Sequence, residues 1–246
     1  MLKQTLLHGE AIQRLSELRD NSVGMVFVDL PYGTTAAKWD EHIDHVEMWR
    51  QLSRVVQDNR AMCFTAVQPF TSQLITSNLK GFKHEWIWNK VTGRGHLVAK
   101  KRPMQQHESV VVFEKRGRGI LYNPQMVPMD KPVRGRSMET SRTSLVGGST
   151  TGEQGVVERT HKYPKTIQTF SMDKNCGHPT QKPVALVEYM IRTYSNEGDV
   201  VLDFTAGSGT TAVAAVRAGR DVICIERDFD YYDLMRRRVS EAVSAL

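Results

Sequence analysis

The first half of the chain alternates short apolar runs with amphipathic patterns. Residues 23–28 form a continuous apolar run, which is typical of a fully buried strand. Over residues 42–57, apolar side chains recur near a 3.6-residue period, which predicts a helix. The same reasoning predicts a second strand at 61–65, a short helix at 70–79, and two further strands at 85–89 and 109–113.

The alternation returns after residue 178. Pro183 suits the first turn of a helix, and Val187, Met190 and Ile191 follow it at helical spacing. Strands that alternate with helices in this way predict an α/β fold, with a doubly wound, mostly parallel sheet covered on both faces. The remaining predicted elements are strands at 199–203 and 221–226 and helices at 210–218 and 229–244.

A long stretch without a clear pattern separates these two parts. Residues 115–175 are rich in Gly, Ser, Thr, Arg and Pro, and residues 134–155 hold almost no periodic apolar positions. So long a stretch is either a functional insertion or a disordered segment, and its flanks favour an insertion. The predicted organisation is therefore one half at 1–114, an inserted region at 115–175 and a second half at 176–246.

Composition narrows the class of protein. The chain has 246 residues, of which 40% are hydrophobic, which suits one sizeable domain with an inserted subdomain. Charged residues interrupt the first twenty positions, and no apolar run approaches the ~18 residues of a membrane span, so we expect neither a signal peptide nor a membrane partner. Cys63, Cys176 and Cys224 lie far apart without a disulfide or metal-binding pattern. We expect no metal and a reduced, cytoplasmic location.

The net charge of +6 is unevenly distributed along the chain. Residues 90–175 hold 16 Lys and Arg against 7 Asp and Glu, whereas the rest of the chain holds 17 against 20. A basic segment on a near-neutral body indicates a polyanionic partner, because neutralising phosphates is a main source of nucleic-acid affinity. A solvated loop explains the same charge equally well.

A glycine-rich turn follows the predicted strand 199–203. Gly207 and Gly209 allow a tight turn and a close approach to a ligand, and the next helix begins directly after them. Glu226 ends the following strand, where an acidic side chain accepts hydrogen bonds from ribose hydroxyls. This pattern also fits a dinucleotide site or a turn without a ligand. Asp203 opposes a pyrophosphate by charge repulsion and favours a cofactor with a cationic amino group, as in S-adenosylmethionine.

A second signal follows the first buried strand, in the sequence Asp29-Leu30-Pro31-Tyr32-Gly33. Ligands of open α/β sheets bind at the carboxyl ends of strands, so Asp29 and Asp203 are expected to face one crevice. The groups of this motif suit an aromatic exocyclic amine as substrate, because such an amine is a poor nucleophile until acceptors bind its hydrogens. The Asp29 carboxylate and a carbonyl of the Leu30-Pro31 turn are the two acceptors. Tyr32 offers a flat face to a flipped-out base. In isolation, this pentapeptide is more often a plain turn.

Together these motifs resemble the DNA amino-methyltransferases of the permuted β group. The resemblance runs nearly end to end, in the order opening strand, catalytic motif, base-pocket strand, and cofactor motifs. The segments that carry it are Leu7–Glu10, Asp29–Gly33 with Trp39-Asp40, Gly81–Lys90, His178–Pro183, Asp203–Thr211, Gly219-Arg220 and Ile225-Glu226. Two positions depart from the usual motifs: Leu30 replaces a proline, and Asp203-Phe204-Thr205 replaces Asp-Pro-Phe.

The resemblance implies a circularly permuted S-adenosylmethionine-dependent fold and an enzyme of DNA methylation and restriction-modification. It implies methyl transfer to N6 of adenine in double-stranded DNA, since Asp in the first catalytic position goes more often with adenine and Ser with cytosine. The implied catalytic residues are Asp29, Leu30, Pro31 and Tyr32. The implied cofactor residues are Thr180, Gln181, Lys182, Asp203, Phe204, Thr205, Ala206, Gly207, Ser208, Gly209, Thr210 and Glu226.

The same resemblance assigns target recognition to residues 115–175. Arg134, Arg136 and Arg142 are therefore candidate DNA contacts, although an isolated arginine is more often a solvated charge. Three alternatives stay open: an N4-cytosine methyltransferase, a DNA-binding protein with a vestigial methyltransferase fold, and a nicotinamide oxidoreductase. The oligomeric state, a homodimer included, is open as well.

Overall fold

A computed structural model describes residues 2–33, 42–115, 119–136, 140–141, 149–150, 156–173 and 181–245. Its strands are β1 (Gln4–His8), β2 (Met25–Asp29), β3 (Ala61–Ala66), β4 (Phe82–Arg94), β5 (Gln105–Glu114), β6 (Val127–Arg136), β7 (Thr140–Ser141), β8 (Ser149–Thr150), β9 (Val156–Lys162), β10 (Ile167–Thr169), β11 (Val200–Asp203) and β12 (Asp221–Glu226). Its α-helices are α1 (Ala11–Glu17), α2 (His45–Val55), α3 (Phe70–Ser77), α4 (Val184–Tyr194), α5 (Thr210–Arg217) and α6 (Phe229–Ser244). None of the described helices is long and apolar enough to cross a membrane.

Eight strands form the central sheet in the order β1-β12-β11-β2-β3-β5-β4-β10. The neighbours from β1 to β3 are parallel, β5 is antiparallel to both β3 and β4, and β10 is parallel to β4. The prediction of a mostly parallel α/β sheet is confirmed. The carboxyl ends of β2, β3, β4, β11 and β12 consequently lie along one edge.

Helices cover both faces of this sheet, as the alternating pattern predicted. Along β2, the side chains of Met25 and Phe27 join the core under α4, α5 and α6, and those of Val26 and Val28 join the core under α1, α2 and α3. This alternation follows from the two-residue period of a strand. All four of these side chains are at most 1% exposed, which explains why β2 is continuously apolar.

The region between the two predicted halves contains strands that the sequence pattern did not predict. Residues 124–165 form a separate compact unit, in which β6 pairs with β9 and β7 with β8, all antiparallel. Residues 119–123 and 166–173 belong to the main unit: the Asn123 N–H donates to the Thr193 carbonyl at 2.7 Å, and β10 extends the central sheet. Strands β6 to β10 thus lie within residues 115–175, where the sequence pattern predicted no element, and the assignment of 115–175 to an inserted recognition region stays a prediction.

Candidate active site

Asp29 is the last residue of β2 and its carboxylate is fixed by several donors. Oδ1 accepts hydrogen bonds from the hydroxyls of Tyr32, at 2.8 Å, and of Thr65 on the adjacent strand β3. Oδ2 accepts one from the Lys182 ammonium at 2.5 Å. The structure thus holds the predicted catalytic carboxylate in one orientation at the carboxyl edge of the sheet.

Tyr32 packs beside Asp29 rather than standing apart as a free platform. Its ring lies 5.0 Å from that of Phe70, with an interplanar angle of 35°, and Phe70 is 1% exposed. Burial, together with the nearby Asp29 charge, raises the pKa of the Tyr32 hydroxyl well above its ordinary value. The hydroxyl therefore stays protonated and acts as a donor to Asp29.

The glycine turn between β11 and α5 uses its two glycines for different purposes. Both have positive φ, 51° at Gly207 and 80° at Gly209. A Cβ on Gly207 would meet no atom within 4 Å, whereas a Cβ on Gly209 would lie 2.6 Å from the Cγ of Met235. Gly207 therefore keeps space open beside the turn, while Gly209 allows α6 to pack closely. Gly209 thus has a packing role, and its predicted ligand role stays a prediction.

Asp203, at the end of β11, is 4% exposed. Its oxygens accept hydrogen bonds from the Thr205 N–H at 3.1 Å and from the Thr211 hydroxyl at 2.5 Å. Burial raises the pKa of Asp203 to about 7, because desolvation outweighs these hydrogen bonds. A cation placed beside this carboxylate would favour its ionised form.

Glu226 is the last residue of β12 and is hydrogen-bonded to the same turn. Its carboxylate accepts hydrogen bonds from the N–H groups of Gly207 and Asp228, both at 2.7 Å. Burial raises its pKa, against the lowering effect of these two backbone donors. Each carboxylate oxygen has a second lone pair, so Glu226 retains acceptor capacity for a ligand hydroxyl.

A cavity of about 550 Å³ connects these groups within the main unit. Its volume falls in the range of about 300–1,000 Å³ that is usual for small-molecule pockets. It brings together most of the predicted cofactor residues with three of the four predicted catalytic residues. Those residues are Asp29, Leu30, Pro31, Gln181, Lys182, Asp203, Phe204, Thr205, Ala206, Gly207, Ser208, Thr210 and Glu226. Tyr32 and Gly209 are not among the lining residues.

The DNA methylase model for N6 and N4 methylation matches residues 23–237. The chain belongs to the N6/N4 DNA methylase family. The resemblance predicted from the motifs is therefore confirmed at the level of the family.

The methylase is similar to known proteins over nearly its whole length. The DNA adenine methyltransferase YhdJ of Escherichia coli is 29% identical over 252 residues, which cover 97% of this chain and 83% of YhdJ. The M1.HpyAVI–SAM complex has the same fold, with a TM-score of 0.65 and 20% identity over 96% of this chain and 99% of that one. The cytosine-N4-specific PvuII DNA methyltransferase does too, with a TM-score of 0.67 and 13% identity over 98% and 92%.

Some predicted site residues do not line the cavity, and others lie outside the described residues. Arg134 of the methylase is on β6, with its side chain 80% exposed and 4.0 Å from Glu158. Arg136 is the last residue of β6. Thr180, Arg142 and the Trp39-Asp40 pair lie outside the described residues. The DNA-contact role of the three arginines stays a prediction.

Sequence reasoning missed several residues that complete the site of the methylase. Thr65 donates to Asp29 from β3, and Glu108 of β5 lies 3.7 Å from the Lys182 ammonium. Gly9 and Glu10 line the cavity at the start of α1, where Glu10 also caps the helix by accepting from the Gln13 N–H at 2.7 Å. Of these residues, only Gly9 and Glu10 belong to a segment that the family resemblance had singled out, the acidic turn after β1. Thr65 and Glu108 had no signal in the sequence.

A basic hairpin tip is a further feature that motif reasoning did not single out. Strands β4 and β5 project beyond the carboxyl edge of the sheet and join through residues 95–104, and no acidic residue occurs between Lys90 and Gln106. The four basic side chains at this tip are exposed, and Leu97 is fully exposed. These basic residues, Arg94, Lys100, Lys101 and Arg102, are hereafter the hairpin cluster. The hairpin cluster lies at the same sheet edge as Asp29.

Proposed function

We propose that this methylase transfers a methyl group from S-adenosylmethionine to N6 of adenine in double-stranded DNA, with Asp29 as the residue that binds the target amine. The observation that carries the proposal is the Asp29 carboxylate, which is held by Tyr32, Thr65 and Lys182 at the wall of the cavity that contains the glycine turn. DNA methylation itself follows from the family.

The cavity residues fit S-adenosylmethionine. Gly207 leaves open space beside the turn, Glu226 has acceptor capacity for ribose hydroxyls, and buried Asp203 suits a cationic amino group. When bound, S-adenosylmethionine supplies an activated methyl group. The chain supplies placement and electrostatics, which is where most of the acceleration of such a transfer originates.

Asp29 prepares the nucleophile. Its carboxylate accepts a hydrogen bond from one hydrogen of the target amine, and a backbone carbonyl of the Leu30-Pro31 turn accepts one from the other hydrogen, which frees the nitrogen lone pair from the ring. The target base must leave the duplex to reach this position, at a cost of a few kcal/mol. The ring of Tyr32 lies beside Asp29 with the buried Phe70 packed against it, and stacking of a base on an aromatic ring is worth about 1–3 kcal/mol.

Two arguments favour adenine over cytosine. The first catalytic position is Asp29 rather than Ser, and the relative at 29% identity is named a DNA adenine methyltransferase. The likeness to the cytosine-N4-specific PvuII enzyme concerns the fold, at 13% identity. N4-cytosine methylation is the second candidate, because the same acceptor geometry serves either amine.

Product analysis tests the proposal. The purified protein is incubated with duplex DNA and S-adenosylmethionine, and the hydrolysed DNA is assayed by mass spectrometry for N6-methyladenine and N4-methylcytosine. We expect the adenine product from wild type and a loss of about 10²–10³ in rate from Asp29→Ala. Asp58→Ala is a matched control, because Asp58 also pairs with a lysine, at 3.2 Å, but does not line the cavity.

Each outcome bears on a different part of the proposal. N4-methylcytosine alone would overturn the adenine assignment and keep Asp29 as the acceptor. Full activity in Asp29→Ala would overturn the catalytic role of Asp29. Calorimetry that showed tight binding of NADH, without binding of S-adenosylmethionine, would overturn the cofactor assignment.

A further inference from the structure

Lys182, which the family resemblance places near the cofactor, lies between two carboxylates of the active site. Its Nζ is 2.5 Å from Asp29 Oδ2 and 3.7 Å from Glu108 Oε2, and its side chain is 9% exposed. Burial lowers the pKa of Lys182, but the charges of Asp29 and Glu108 outweigh burial and the net pKa is raised. Lys182 is therefore a buried ammonium that bridges β2 and β5.

Glu108 is itself anchored from the neighbouring strand. Its Oε1 accepts a hydrogen bond from the ammonium of Lys90 on β4, which also lies over the ring of Trp88 at 5.0 Å from the ring centroid. Its Oε2 is buried and accepts no hydrogen bond from the described residues, so Lys182 at 3.7 Å is the cation that compensates it. A chain of alternating charges therefore runs from Asp29 through Lys182 and Glu108 to Lys90.

The donors around Asp29 leave one position for a substrate. A carboxylate accepts about four hydrogen bonds, two at each oxygen. Among the described residues, Tyr32 and Thr65 occupy both positions of Oδ1, and Lys182 occupies one position of Oδ2. The remaining lone pair belongs to Oδ2, on a residue that lines the cavity.

We propose that Lys182 is a positioning residue for methyl transfer: it fixes Asp29 so that the remaining lone pair of Oδ2 meets the target amine, and Glu108 holds Lys182 in that position. The inference rests on the proposed role of Asp29 and applies to an adenine or a cytosine amine alike. Lys182 acts through Asp29 and takes no part in bond making.

The test compares Lys182→Met with Lys182→Arg, which keeps the charge. Lys83→Met is the matched control, because Lys83 of β4 pairs at 2.9 Å with the buried Glu114 of β5 and does not line the cavity. The single-turnover rate of methylation, the Kd for S-adenosylmethionine, the Kd for duplex DNA and the Tm are measured for each. Misplacing a reacting group by about 1 Å costs about 10² in rate, so we expect a loss of that order in Lys182→Met.

The expected pattern separates positioning from folding. Lys182→Arg should recover most of the lost rate, both Kd values should change far less than the rate, and Lys83→Met should methylate at the wild-type rate. Glu108→Gln should give a smaller loss of rate, since Lys182 keeps its contact with Asp29. Glu108→Gln also replaces Lys182→Met as the decisive variant if the latter does not fold.

Three results would overturn the inference. If folded Lys182→Met methylates at the wild-type rate, Lys182 is not a positioning residue. If Lys182→Met does not fold, a wild-type rate in Glu108→Gln leads to the same conclusion. Equal losses in Lys182→Met and Lys182→Arg, with a lowered Tm in both, assign Lys182 to stability alone. Full activity in Asp29→Ala defeats the proposed function as well, whereas an inactive Asp29→Ala beside a fully active Lys182→Met defeats this inference only.

Discussion

The hydroxyl of Thr205 donates a hydrogen bond to the backbone carbonyl of Asp29 at 2.9 Å. This bond joins the end of β2 to the turn after β11, and so couples the proposed catalytic residue to the proposed cofactor turn. Thr205 stands where the family usually has the phenylalanine of Asp-Pro-Phe. The departure from the motif therefore brings a polar link in place of an aromatic ring.

The first prediction concerns this link. Thr205→Val keeps the shape of the side chain but removes the donor, and a hydrogen bond of this kind contributes about 0.5–1.5 kcal/mol. We expect the single-turnover rate to fall by up to about tenfold, because the Asp29 backbone loses a fixed partner. Thr205→Ser, which retains the hydroxyl, should stay near wild type. Equal rates in the two variants would show that the link has no part in placing Asp29.

The second prediction uses the different surroundings of the two glycines in the turn. Both have positive φ, so alanine at either position costs about 1–2 kcal/mol of backbone strain. Gly209→Ala adds a clash with Met235, and overpacking of this kind costs about 1–3 kcal/mol more. Gly207→Ala places its methyl group in open space instead, where the cofactor is expected to approach.

We therefore expect Gly209→Ala to lower the free energy of unfolding further than Gly207→Ala does. The Kd for S-adenosylmethionine should rise more in Gly207→Ala. Denaturant unfolding and calorimetry measure the two quantities. The reverse order of the two variants in either measurement would contradict the assignment of packing to Gly209 and of ligand approach to Gly207.

The third prediction concerns pH. The pKa of Asp203 is raised to about 7, so the carboxyl group is neutral below that pH and ionised above it. A cofactor amino group that pairs with the ionised form must compete with a proton below pH 7. As the pH is raised toward 7, the affinity for S-adenosylmethionine should thus increase by up to about tenfold per pH unit. Above pH 7 it should level off.

The same raised pKa predicts the opposite trend for stability without cofactor. The folded state holds a proton on Asp203 that the unfolded chain releases, so this contribution is present below pH 4 and is lost as the pH rises toward 7. Asp203→Asn is the control for both measurements. Asp29 and Glu226 are acidic neighbours whose charges also act on Asp203, and a pH dependence that persisted in Asp203→Asn would assign the effect to them.

The cofactor side of the site was predictable because its signals are local. The predicted bounds 221–226 and 229–244 agree with β12 and α6, and strand, glycine turn and helix follow one another within about twenty residues. Asp203, Gly207 and Glu226 therefore come together through a single βαβ connection. The pattern of this segment is strong because its strands are largely buried, α5 is buried almost throughout, and α6 buries only Met235 and Val239.

The remaining parts depend on contacts between distant segments. Lys182 reaches Asp29 across 153 residues of sequence, and Thr65 reaches it from the neighbouring strand, so no local pattern joins them. Strands β6 and β9 were missed for a different reason. Val133 and Val157 of these strands are 50% and 43% exposed, so the paired strands lack the alternation of buried and exposed side chains on which sequence reasoning relies.

The last prediction concerns DNA binding by the hairpin cluster. Its basic side chains are exposed and lie beyond the carboxyl edge of the sheet, where a duplex must be if its base is to reach Asp29. Each phosphate contact that is lost lowers the slope of log K against log salt by about 0.9. Replacing Lys100 and Lys101 with alanine should therefore flatten that slope by up to about 1.8 and weaken DNA binding, while the affinity for S-adenosylmethionine stays unchanged.

Replacing Arg236 and Arg237 of α6 is the matched control, because it removes the same charge from exposed side chains that pair with Asp233. Fluorescence anisotropy with labelled duplex DNA, over a series of salt concentrations, measures both double variants. The net charge of a protein affects its DNA affinity wherever the charges lie. An equal loss of DNA affinity in the two double variants would therefore be explained by net charge alone. A flattened slope in the Lys100 and Lys101 variant alone would place the phosphate backbone at the hairpin cluster. An unchanged slope in that variant would mean that the duplex approaches Asp29 without touching this hairpin, and the predicted contacts of Arg134, Arg136 and Arg142 would then have to hold it.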